Sequence, residues 1–188
     1  HRVRTQASRA VLASIASGSD TALSLEAKII MADSPDKAIA EVAALLSSPN
    51  AVVRVAALRS IARHGLKTVA NNIARSVRLS GFQNLSVDER REMLKTLIVL
   101  AGDQGEAVAL EIAKKGGIFT NEAREQSRVA AVDALGAVSS SPSVASELRL
   151  IAQARWATSD ETRTAAQKAA SAVEARMTAA PSATRMPS

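Results

Sequence analysis

Ser127-Arg128-Val129-Ala130-Ala131-Val132-Asp133-Ala134-Leu135-Gly136 is the stretch on which the fold turns. Shorter versions stand at Val53-Arg54-Val55-Ala56-Ala57 and Thr162-Arg163-Thr164-Ala165-Ala166, and the recurrence is regular. Arg54, Arg91 and Arg128 are 37 residues apart, as are Ala57, Leu94 and Ala131, and Ile61, Ile98 and Leu135. Leu45, Phe82, Phe119 and Trp156 share that step of 37, so all three aromatic residues of the protein occupy one column. Downstream the step shortens to 35 for Arg163, Ala166 and Ala170, a contraction of the loop after Trp156. Upstream, Arg4, Ala7 and Val11 precede Arg54, Ala57 and Ile61 by 50, leaving room for one extra helix around residues 21–32. A repeat of about 20 to 50 residues marks a stacked array rather than a bundle.

The repeating units are helical. With 188 residues, 47% hydrophobic and 22% charged, the chain has the composition of one globular domain, not of a disordered segment. Its core must be built from Ala, Leu, Ile and Val, a mixture that favours close-packed helices over sheets. Turn residues divide the chain into about ten helices. They are expected over residues 2–17, from Asp20 to Ala32, from Ser34-Pro35 to Leu46, and from Ala51 to a stop at Gly65. Further helices are expected over 66–80, 87–102 behind a Ser86/Glu89 capping box, 104–115, 122–138, 142–156 and 160–177. The last ten residues, Ala179 to Ser188, read as a disordered tail. In the helix beginning at Ala51, apolar groups fall almost all round, as suits an element pressed between a partner helix and its neighbouring units.

The three Arg-Ala stretches quoted above resemble the second helix of HEAT repeats, whose pattern is VRxxAAxALG, and the resemblance runs over nearly the whole chain. The block Phe82 to Gly102 is similar to degenerate units of bacterial HEAT-repeat proteins of unassigned function. The resemblance implies an all-α, right-handed α-solenoid of the armadillo type, with about five HEAT-like helix pairs over residues 1–178. The units are expected at about 1–32, 36–65, 66–102, 103–138 and 142–178. It also implies that second helices line a concave groove. One departure stands out: HEAT units often carry an Asp six residues before the Arg, and here those positions are Ser48, Leu85, Glu122 and Ala157.

Charge is the main functional signal. No acidic residue lies between Val42 and Val87, while Arg54, Arg59, Arg63, Lys67, Arg75 and Arg78 do, six charges that equal the net charge of +6. Arg54 and Arg91, in the repeat's Arg column, are read as structural. Arg59, Arg63, Lys67, Arg75 and Arg78 are the candidate partner-binding residues, an electropositive patch for an acidic partner. The three aromatics are read as core, which argues against stacking on single-stranded bases, although a phosphate backbone needs only Lys and Arg.

Enzyme chemistry finds little support. There is no Cys, and His1 and His64 are the only imidazoles, so neither a two-His metal site nor a Ser-His-Asp arrangement can be assembled. Gly102-Asp103-Gln104-Gly105 lacks a Walker Lys-Ser/Thr and reads as a helix-to-helix turn. No catalytic residue, cofactor or metal is expected. No apolar run has the length of a membrane span and no signal-peptide pattern opens the chain, so a cytoplasmic location is the default expectation. Because the chain starts at His1 and in mid-pattern, a fragment or processed product is expected, with either a missing upstream repeat or self-association through the N-terminal end face. The expected function is a non-enzymatic scaffold that binds an acidic protein segment in a basic concave groove. The alternative is a HEAT-like protein that binds a nucleic-acid backbone.

Overall fold

The computed structural model describes residues 45–116, 121–154 and 158–179, and all regular structure among them is helical. Seven α-helices follow one another: α1 (Ala51–His64), α2 (Ala70–Ser76), α3 (Val87–Ala101), α4 (Asp103–Lys114), α5 (Glu122–Val138), α6 (Pro142–Gln153) and α7 (Asp160–Ala179). Short 3-10 turns at Lys67–Val69 and Ser80–Asn84 flank α2. The helices expected over residues 2–32, most of the one begun at Ser34-Pro35, Phe119, Trp156 and residues 180–188 lie outside the described residues.

Local chemistry sets the boundaries. Asn50 accepts a hydrogen bond from the Val52 amide at 2.9 Å to open α1, and Asn121 accepts one from Arg124 at 2.9 Å to open α5. Pro142 stands at the start of α6. After α1, Gly65 is left-handed at φ 62°, its amide reaching Ala62 O while the Leu66 amide reaches Ile61 O, a Schellman closure. Ser86 accepts from the Glu89 amide at 3.3 Å, so half of the expected capping box forms. The other half does not, because the Glu89 carboxylate is drawn away to Arg54.

A continuous helix over 66–80 is not what forms. The α-helical part is the seven residues of α2, where Asn71 and Asn72 are weak helix formers and the Ser76 hydroxyl bonds back to Asn72 O at 3.0 Å. The chain then turns through Ser80–Asn84, burying Phe82. The helix expected over 142–156 is likewise shorter and stops at Gln153.

Packing places α1 on α3, α3 on α5 and α5 on α7, while α2 lies against α3, α4 against α5 and α6 against α7. One row is therefore α1, α3, α5 and α7, with α2, α4 and α6 alongside it. The columns read from the sequence are the core: Ala57, Leu94, Ala131 and Ala166 are each 0% exposed, and Ile61, Ile98 and Leu135 are buried with them. Each such Leu or Ile contributes about 1.5–3 kcal/mol by leaving water.

Polar bonds stitch the row together. Arg54 forks onto the Glu89 carboxylate, its Nη2 2.7 Å from Oε2, and its Nη1 donates to Ser48 O at 2.6 Å. In the next unit the buried arginine is Arg90, which donates to Leu85 O (2.8 Å), Ala123 O (2.7 Å) and Ser127 Oγ (2.9 Å). Burial holds its guanidinium below the usual pKa. Ser48 and Leu85 are two of the positions where the repeat pattern would carry Asp, and their backbone carbonyls do the accepting. Arg91, the column residue, turns outward instead, since successive residues differ by about 100° around a helix. Arg128 is buried and donates to Ala113 O (3.0 Å), Glu125 (2.9 Å) and Thr158 (3.1 Å). Arg54 and Arg128 are thus structural.

Candidate functional site: a groove across the α1, α3, α5 and α7 row

A groove of roughly 450 Å³ runs along the exposed side of this row. Its cations come from three helices: Arg59 on α1, Arg91 and Lys95 on α3, and Lys168 on α7. Its carboxylates are Glu92 on α3 and Asp133 on α5. Between α5 and α7 the floor is Gly136, Ala137, Ala165, Ala169 and Ala172, and these small side chains create the depression.

The cations are not equally engaged. Glu92 is buried and holds two of them, Arg59 at 3.3 Å and Lys95 at 3.3 Å. Arg91 lies between Asp88 in its own helix and Asp133 at 3.9 Å across to α5. Among the described residues Lys168 has no carboxylate partner. A groove net charge of +2 follows from four cations and two carboxylates, and the +1 of Lys168 is the part that no internal pair offsets.

Of the five residues singled out from the sequence, all are exposed, and the structure distributes them. Arg59 enters the groove, and Arg63 follows one turn later on α1. Lys67 begins the 3-10 turn after α1, and Arg75 lies in the last turn of α2. Arg78 lines a different depression, of roughly 370 Å³, between α2 and α4 with Ala74, Gln104 and Glu111. There the Lys115 ammonium, bonded to Glu111 at 2.7 Å, holds that carboxyl below its ordinary pKa, with a smaller contribution from Arg78. Arg59 and Arg78 therefore belong to separate surfaces.

Arg91, Lys95 and Lys168 are the groove cations that charge density along the chain does not single out. A signal existed for one of them: Arg59, Thr96, Asp133 and Lys168 form a column with steps of 37, 37 and 35. Writing out that column puts Lys168 and Asp133 on the same face as Arg59.

Among the described residues no group of three His, Asp or Glu side chains is placed to hold a metal ion, and no helix is long and apolar enough to cross a membrane. Comparison of the chain with protein-family models, with curated proteins and with solved structures gives no match.

Proposed function

We propose that this chain is a HEAT-like α-solenoid that works as a protein-interaction scaffold, binding an acidic segment of a partner protein in the groove across α1, α3, α5 and α7. The observation that carries the reading is the groove itself: four cations on three of the four row helices, α1, α3 and α7, stand with two carboxylates above a floor of Gly and Ala. The solenoid reading draws support from the 37-residue columns and from the row in which each unit touches its neighbours. Recognition by such a groove is electrostatic at its rim and steric at its floor, and so weakens with salt. In this reading the chain performs no chemistry and takes no cofactor. Arg63 extends the basic stripe at the α1 end, and Lys67, Arg75 and Arg78 raise the general positive potential.

A nucleic-acid backbone is the competing ligand. Asp133 would stand against its phosphates, and among the described residues no aromatic side chain lines the groove for bases to stack on. The two readings separate in one titration. A fluorescein-labelled oligoglutamate and a labelled duplex DNA are titrated into the wild-type protein and the Arg59→Glu/Lys168→Glu double variant at about 0.01 M and 0.15 M salt, with anisotropy as the readout. Oligoglutamate binding that falls about tenfold in the variant supports the protein-segment reading, a difference of about 1.4 kcal/mol. Duplex binding without oligoglutamate binding overturns it in favour of nucleic acid. Circular dichroism of the variant confirms that the helices persist.

A further inference from the structure

Charge order along the groove carries a more specific conclusion, which rests on the acidic-segment reading above. From α3 through α5 to α7 the rim reads Arg91 and Lys95, then Asp133, then Lys168. Two cationic positions thus flank one carboxylate. Asp133 is half-exposed, and its only ion pair among the described residues is the long 3.9 Å contact with Arg91. Arg91 is in turn 39% exposed on its side chain, and among the described residues Lys168 makes no ion pair.

We infer that the groove selects an extended segment with an alternating charge pattern, acidic at both ends and basic in the middle, rather than a uniformly acidic one. The partner's first carboxylate meets Lys168. Its central cation takes Asp133 and its second carboxylate meets the exposed side of Arg91, which keeps its pair with Asp88 in the same helix, so one weak internal pair is exchanged for three intermolecular ones. A uniformly acidic segment would place a carboxylate against Asp133, where like charges repel. Glu92 does not enter the exchange, because it is buried beneath Arg59 and Lys95.

Spacing follows from helix packing. Neighbouring helices in a row lie about 8–10 Å apart, so α3 and α7 are separated by about 16–20 Å. An extended chain advances about 3.3 Å per residue, which puts the two acidic ends about five to six residues apart. The Gly and Ala floor between α5 and α7 lets the backbone of the segment settle close to the helices.

The test sets two labelled heptapeptides against each other at about 0.15 M salt, where long-range attraction is screened. One is Glu-Glu-Ala-Lys-Ala-Glu-Glu and the other Glu-Glu-Ala-Glu-Ala-Glu-Glu. A groove that senses only net charge prefers the second, which carries two more negative charges. The alternating-pattern groove prefers the first by about threefold to tenfold, a ratio that becomes one or inverts in Asp133→Asn, whose thermal midpoint should match that of the wild type. Lys168→Gln should weaken both peptides alike. Equal affinities, or preference for the all-acidic peptide in the wild type, overturn the inference while leaving the acidic-segment reading in place. Failure of both peptides and of oligoglutamate to bind overturns that reading and the inference with it.

Discussion

The α1–α3 and α5–α7 interfaces solve the same packing problem with different chemistry. Between α1 and α3 the contacts reach across with long side chains: Arg54 forks onto Glu89, Arg59 meets Glu92, and the Thr96 hydroxyl donates to Leu58 O at 3.1 Å. Between α5 and α7 the backbones themselves come together. A Cβ built on Gly136 would lie 2.6 Å from Ala169 Cβ and 2.9 Å from Ala169 Cα, closer than packed carbons approach. Arg176 then closes the seam by donating to Ser139 O at 2.8 Å and to Gly136 O. The difference explains the groove. Interfaces made by long cations consume those cations internally, whereas an interface made by Gly and Ala leaves a small-residue floor open and Lys168 without an ion pair among the described residues.

The largest effect should come from Gly136→Val. The two helices would have to separate to admit the side chain, and overpacking of this kind costs about 1–3 kcal/mol, more where backbone stands in the way. A loss of about 3 kcal/mol in chemical denaturation is expected. Val99 occupies the same repeat position 37 residues earlier yet is 49% exposed, so Val99→Ala should change stability by less than about 0.5 kcal/mol. Equal costs at the two positions would show that the interfaces do not differ in the way described.

Glu89→Gln probes the charged interface. It removes the negative charge from a buried carboxylate but keeps its shape, leaving the Arg54 guanidinium with a neutral acceptor and the Ser48 carbonyl. A guanidinium with 20% of its side chain in water recovers part of the loss by hydration. The expected cost is therefore about 1–3 kcal/mol, below that of a fully buried pair. The counterpart Arg54→Met, which strands the Glu89 carboxylate with only 3% of its side chain exposed, should cost at least as much, and the double variant distinguishes the two contributions.

Much of this contrast was visible in the sequence, and the part that was not has a physical reason. The columns of Ala57, Leu94, Ala131 and Ile61, Ile98, Leu135 announced the core because helical period and repeat length are both local properties of the chain. The cap at Ser86 was legible for the same reason. Ion pairing was not. The stretch from Val42 to Val87 lacks acids when counted along the chain, yet Arg54 and Arg59 meet Glu89 and Glu92 from the next unit. Arg90 and Arg91 adjoin in sequence but face about 100° apart, so only packing decides that Arg90 is buried and Arg91 enters the groove. Lys168 stands alone, far from the dense basic stretch, so counting charge along the chain passes over it, and only its place in the repeat column with Arg59 marks its face.

Glu125 gives a smaller effect than either interface change and the one with a pH signature. It lies between α5 and the start of α7, where the Thr162 hydroxyl donates to it at 2.7 Å, the Ser159 hydroxyl also donates, and Arg128 bonds it at 2.9 Å. Burial pushes its carboxyl up, but the bonds from Ser159, Thr162 and Arg128 together outweigh burial and hold it below the ordinary value. A carboxyl lowered by folding stabilises the native state fully above its unfolded pKa of about 4.3, and the contribution disappears as the pH falls through the folded pKa. Glu125→Gln should therefore cost roughly 1 kcal/mol at pH 7, and the gap to wild type should hold down to about pH 5, then close below about pH 4. Urea denaturation across that range reads it directly. A gap that widened on acidification would mean that burial, not hydrogen bonding, governs this carboxylate, leaving the α5–α7 seam to the Gly136 contact and the Arg176 bonds.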